Sequence, residues 1–106
     1  MEKRYDKLVR DHIPQIIREQ GNTPVTRQLG EDEYRQALIQ KLQEEVAEFV
    51  ADNSLGELCD ILEVVAALTS ALGVSHEALQ KAKDEKAARN GAFRERVFLE
   101  SVITAE

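Results

Sequence analysis

From Glu31 to Leu72 the apolar residues recur at a helical period, and the pattern breaks once, at Asp52-Asn53-Ser54. Two long helices joined by so short a polar turn pack side by side and antiparallel, so an all-α fold built on a central helical hairpin is expected. The chain has 106 residues, 42% of them apolar, with two Tyr, three Phe and no Trp. A second core would leave each half too small to hold itself together, so residues 1–106 are read as one domain. The scarcity of large side chains favours gaining burial from further copies, as a homo-oligomer, dimer or tetramer.

Shorter elements flank the hairpin. A first helix is expected from about Ile13 to Glu19, with Pro14 in its first turn and Gly21 ending it. The second begins after Gly30, where Glu31, Asp32 and Glu33 suit the positive end of a helix dipole, and runs to about Ala51. Ser54 and Glu57 fit the capping box of a third helix, which stops at Gly73 in a left-handed cap. A fourth, capped by Ser75, runs to roughly Arg89 and breaks at Asn90-Gly91. In the tail, Val97, Leu99 and Val102 are expected to pack on a neighbour as a short strand or helical turn.

Acidic residues interrupt both apolar stripes. At about 100° per residue, Leu38, Ile39, Leu42, Val46 and Phe49 form the stripe of the second helix. Glu45 falls inside it, Glu48 at its edge, and Glu44 mostly outside. On the third helix Ile61, Val64, Val65, Leu68 and Leu72 form the stripe; Glu57 sits within it, Asp60 flanks it, and Glu63 faces away. The pairs Glu45/Glu48 and Glu57/Asp60 share the i, i+3 spacing that puts side chains on one helix face. In an antiparallel hairpin both pairs lie near the same turn. Carboxylates gathered there repel one another and raise one another's pKa values, a conflict that a divalent cation resolves. Oxygen ligands without imidazole or thiolate select Mg²⁺ or Mn²⁺ over zinc. Taken singly, each acid reads as a solvated surface group paired with Arg35 or Lys41, and Glu57 as the partner of Ser54. Repetition of the same spacing on two helices toward one turn favours the shared site.

The formal charge of -6 argues against coating a nucleic-acid polymer, which needs Lys and Arg to displace counterions. The single cysteine, Cys59, makes no internal disulfide and no zinc set, and is given no role; a reduced, cytoplasmic setting is expected. No apolar run long enough for a signal peptide or a membrane span is present. His12 and His76 are read as surface or capping residues.

The motif E-E-x-x-E at Glu44, Glu45 and Glu48, followed by E-x-x-D at Glu57 and Asp60, resembles the signature of the MazG-like all-α nucleoside triphosphate pyrophosphohydrolases. That family includes phosphoribosyl-ATP pyrophosphohydrolase and the dimeric dUTPases. Y-D-K-L-V-R-D-H-I-P-Q-I-I at Tyr5 to Ile17 and K-A-A-R-N-G-A-F-R-E-R-V-F-L at Lys86 to Leu99 look like the opening and closing segments of a short phosphoribosyl-ATP pyrophosphohydrolase-like subgroup. Only eight residues separate Glu48 from Glu57, fewer than is common in MazG itself.

The resemblance implies cleavage of the bond between the α and β phosphates of a nucleotide, giving a monophosphate and pyrophosphate. It implies that Glu45, Glu48, Glu57 and Asp60 carry Mg²⁺, with Glu44 or Glu45 orienting or deprotonating the attacking water. Candidates for holding phosphates are Lys83, Lys86 and Asn90 along one helix face, then Arg94 and Arg96, with Lys7 and Arg10 in the opening segment. Two other readings stand beside this one: a non-catalytic helical interaction module with a solvated acidic face, and the same metal site acting on a phosphorylated sugar or other diphosphate.

Overall fold

The computed structural model describes residues 1–105. All regular structure among them is helical: α1 (Ile13–Glu19), α2 (Glu31–Ala51), α3 (Leu55–Ala71) and α4 (His76–Asn90). The chain divides into two compact units, Met1–Val74 and Ser75–Glu106. No single helix among the described residues is long and apolar enough to cross a membrane.

In the first unit, local chemistry fixes where the helices start and stop. Pro14 occupies the first turn of α1, where a missing N–H costs nothing. Gly21 follows at φ 86°, and the amides of Gly21 and Asn22 donate to the carbonyls of Arg18 and Ile17. Gly73 ends α3 in the same way: at φ 76°, it donates to Ser70 while Val74 donates to Thr69. Both are the paired reverse bonds of a left-handed cap, a conformation that glycine adopts without a Cβ penalty. At the other end of α3 the Ser54 hydroxyl accepts from the Glu57 amide at 3.3 Å. The amide of Ser54 itself donates to Asp52 O at 2.6 Å. Glu57 therefore makes only its backbone half of the capping box, and its carboxylate is left for other work.

Helices α2 and α3 pack along each other. Their direction is fixed at both ends: Arg35 Nη2 donates to Ala71 O at 3.2 Å, while Glu45 meets Glu57 and Asp60 next to the turn. The pair is antiparallel. Leu38 and Val64 are the buried apolar residues of the contact, joined by Glu45 and Thr69. The Thr69 hydroxyl donates to Val65 O at 2.7 Å, which satisfies it inside its own helix.

The hairpin has two unlike faces. Flanking the contact on α2 are Lys41 and Glu48 on one side and Ile39, Val46 and Val50 on the other; on α3 they are Asp60 and Ala67 against Leu55, Leu58 and Leu62. Antiparallel helices turn in opposite senses when viewed from one end, so the two acidic flanks share one face and the two apolar flanks share the opposite one. The apolar face is open: Val50 is 71%, Leu55 77% and Leu62 67% exposed.

In the second unit, Ser75 caps α4 by accepting from Ala78 N at 3.1 Å. The helix extends one residue past the expected Arg89, because Gly91 at φ 85° still donates to Ala87 O at 2.7 Å. The expectation for the tail is corrected. Residues 92–105 form neither strand nor helix, and Val97, Leu99 and Val102 are exposed rather than packed. The run Val97-Phe98-Leu99 followed by Glu100 and Ser101 has neither the period of a strand nor that of a helix face.

Candidate functional site

Three carboxylates meet on the acidic face near the turn between α2 and α3. One oxygen from each of Glu45, Glu57 and Asp60 lies within 4.8 Å of the others. Glu45 arrives from the middle of α2, where its place inside the apolar stripe leaves it only 6% exposed. Glu57 and Asp60, one turn apart on α3, are half-buried. Glu48 stands exposed beside them, close enough that its charge raises the pKa of both Glu45 and Glu57.

The electrostatics are those of a site short of positive charge. Burial pushes the Glu57 carboxyl above its ordinary range, and Glu48, Asp60 and Glu45 push it further. Glu45 is raised first by burial; Lys41 opposes this while Glu48 and Asp60 add to it. The Oε2 atoms of both Glu45 and Glu57 are buried without a hydrogen-bond partner. A buried carboxylate oxygen left bare is costly, a cost that a proton, a water or a cation would relieve.

Three cations ring the cluster without filling it. Lys41 Nζ lies 3.3 Å from Glu45 Oε1 and 3.5 Å from Glu44 Oε1. Lys7 donates to the same Glu44 oxygen at 3.0 Å, and this bond holds the Glu44 carboxyl below its ordinary range. Arg10 Nη2 donates to Asp60 Oδ1 at 2.7 Å, with Nη1 3.6 Å from Glu63 Oε1. The bonds from Lys7 and Arg10 cross 37 and 50 positions of sequence and so had no local signal. The Lys41 pairs do have one, the i, i+3 and i, i+4 spacing.

The donor set suits a hard divalent cation: oxygens only, a net negative surround, and a buried oxygen awaiting a partner. Oxygens on adjacent Mg²⁺ positions stand roughly 3 Å apart, so three carboxylate oxygens that lie within 4.8 Å of one another could close on one ion by moving their side chains inward. Lys83, Lys86, Asn90, Arg94 and Arg96 all belong to the second unit, where each is exposed. His12 precedes α1 without a side-chain capping bond, His76 begins α4, and Cys59 is exposed. A shallow cleft of about 290 Å³ lined by Tyr34, Arg35, Ala67 and Ser70 lies toward the other end of the hairpin. Arg35 is about 15 Å along α2 from Glu45, by helical rise.

An uncharacterised protein of Mycolicibacterium smegmatis is 60% identical to this chain over 45 residues, a match covering 42% of this chain and 46% of that protein. The chain thus spans less than half the length of this curated relative. No family model and no solved structure matches.

Proposed function

We propose that the protein is a Mg²⁺-dependent nucleotide pyrophosphohydrolase of the MazG-like kind, cleaving the α–β phosphate bond of a nucleoside triphosphate or related nucleotide. The observation that carries the reading is Glu45, nearly buried, with its Oε2 unpaired and one of its oxygens within 4.8 Å of oxygens of Glu57 and Asp60. A carboxylate is retained in such a place, against its burial cost, when something positive is meant to meet it.

In this reading Glu45, Glu57 and Asp60 hold the cation, and Glu48 completes the set from the open side. Bound Mg²⁺ supplies charge neutralisation at the phosphate oxygens and acidifies a water. Both cations on Glu44 contact Oε1, which leaves Oε2 to accept a proton of the attacking water, and the lowered pKa keeps Glu44 ionised for that task. Water oxygen bonds to the α phosphorus as the bond to the bridging oxygen breaks, releasing monophosphate and pyrophosphate. Lys83, Lys86, Asn90, Arg94 and Arg96, all exposed, keep the phosphate-binding role that the resemblance gives them. Clearance of non-standard nucleotides in the cytoplasm fits such an activity.

The working form in this proposal is a homo-oligomer, with a second copy covering the apolar face opposite the acids. That face carries Ile39, Val46, Val50, Leu55, Leu58 and Leu62, all exposed.

Incubating the purified protein with a panel of nucleotides and Mg²⁺ tests the reading. Monophosphate and pyrophosphate are expected from at least one member, and a loss of roughly 100-fold or more in Glu48→Gln and Asp60→Asn. No turnover anywhere on the panel, or unchanged turnover in both variants, would sink it and leave the interaction module as the better account.

A further inference from the structure

We propose that the N-terminal arm is a built-in counterion for the acidic site, and that Arg10 and a divalent cation compete for Asp60. The inference rests on the cation-site reading above. It starts from where the arm's charges sit. Residues 1–10 form no helix, and of these only Leu8 is even half-buried; its long-range side-chain bonds are Lys7 to Glu44 and Arg10 to Asp60. Both land on the rim of one cluster. Arg10 and Lys7 also lie in the field of Glu45, which favours their charged forms along with their direct partners.

The Asp60 carboxylate would be shared between Arg10 and a cation in the cluster. Its Oδ1 accepts from the Arg10 guanidinium at 2.7 Å, while one of its oxygens is among the three that converge within 4.8 Å. A divalent cation there draws on the same carboxylate and places like charge beside the guanidinium. Glu63 gives Arg10 a fallback, at 3.6 Å and well exposed. The pairs being displaced are solvent-exposed, and such pairs are individually weak, so they yield to a divalent cation while still lowering its affinity. Coupling between two sites is reciprocal: if the arm weakens cation binding, the cation loosens the arm.

Calorimetric titration with Mg²⁺, and with Mn²⁺ in parallel, reads the first half of this coupling. Arg10→Gln is expected to bind about two- to fivefold more tightly than the native chain, the range an exposed ion pair commands. Arg10→Lys, which keeps the charge, is expected to stay closer to native, and Lys7→Gln to shift less than Arg10→Gln because Glu44 lies outside the three converging acids. Timed trypsin cleavage of the native chain reads the other half. Cutting after Lys7 and Arg10 is expected to speed up on adding Mg²⁺, while cutting after Lys81 and Lys83 in α4 keeps its rate. Native Mg²⁺ binding with unchanged or weaker affinity in Arg10→Gln, or an arm cut at the same rate with and without Mg²⁺, overturns the proposal and leaves the cation site standing. Failure of the native chain to bind either cation overturns the site reading itself, and the competition with it.

Discussion

Glu45 holds a position inside the apolar stripe, only 6% exposed, where burial disfavours its charge. The raised pKa values of Glu45 and Glu57 make a pH prediction whose sign is opposite to that of most carboxylates. An acid whose folded pKa lies above its ordinary 4.5 binds its proton more tightly when folded. Its contribution to stability is full below 4.5 and is lost as pH rises through the raised folded value. Glu44, lowered by Lys7, works the other way, adding stability that disappears as pH falls through its folded value. In the window just above the ordinary glutamate range, metal-free protein is therefore expected to melt at a higher temperature as pH is lowered from neutrality. Glu45→Gln is expected to flatten that slope, and saturating Mg²⁺ to raise the neutral-pH melting temperature most in the native chain. A metal-free melting temperature that falls from pH 7 toward pH 5 would contradict the assignment. At this scale the angular position of each acid was readable from the sequence: Glu45 and Glu57 are drawn inward because they fall within apolar stripes. The cations that answer them were not. Lys7 and Arg10 reach their partners through a folded arm, and nothing periodic in the sequence points from Arg10 to Asp60.

Helix boundaries were the most legible part of the chain, because proline, serine and glycine act there within a few residues of themselves. Two substitutions measure that local chemistry. Ser54→Ala removes the acceptor for the Glu57 amide and is expected to cost about 1 kcal/mol. Gly73→Ala puts a Cβ at φ 76° with no neighbour within 4 Å to clash with, so its cost, again about 1 kcal/mol, is purely that of the left-handed backbone. Either change is expected to lower the melting temperature by roughly 4–8 °C. If Gly73→Ala melts at the native temperature, the cap is not held as described. Ser54→Ala also separates two roles of Glu57: stability should fall, while Mg²⁺ affinity should change little, because the carboxylate takes no part in the cap. The tail defeated the sequence reading for the opposite reason. Val97, Leu99 and Val102 are apolar but keep no strand period, since Phe98 stands between the first two and three positions separate Leu99 from Val102; such a run specifies structure only where another strand or surface meets it.

As a whole molecule, the chain keeps little apolar surface from water. Leu38 and Val64 are the buried apolar residues among those described, and a stripe of six aliphatic side chains on the hairpin stands open. Under the proposed self-association, Leu58→Asp and Leu62→Asp are expected to shift the protein toward monomer in sedimentation velocity, with a loss of thermal stability. A native chain that sediments as a monomer at all concentrations would remove the second copy from the proposal. The acidic and apolar faces lie on opposite sides of one hairpin, so these substitutions leave the carboxylates themselves in place. Such a thin interior also sets a rule for handling the protein. Where folding leans on a neighbour, dilution acts as a denaturant, and the midpoint of unfolding climbs with the amount of protein in the tube. Specific activity measured at nanomolar enzyme would then understate what the same chain does at micromolar concentration. The shortfall would be recovered by concentrating the sample, with no change to substrate, metal or pH.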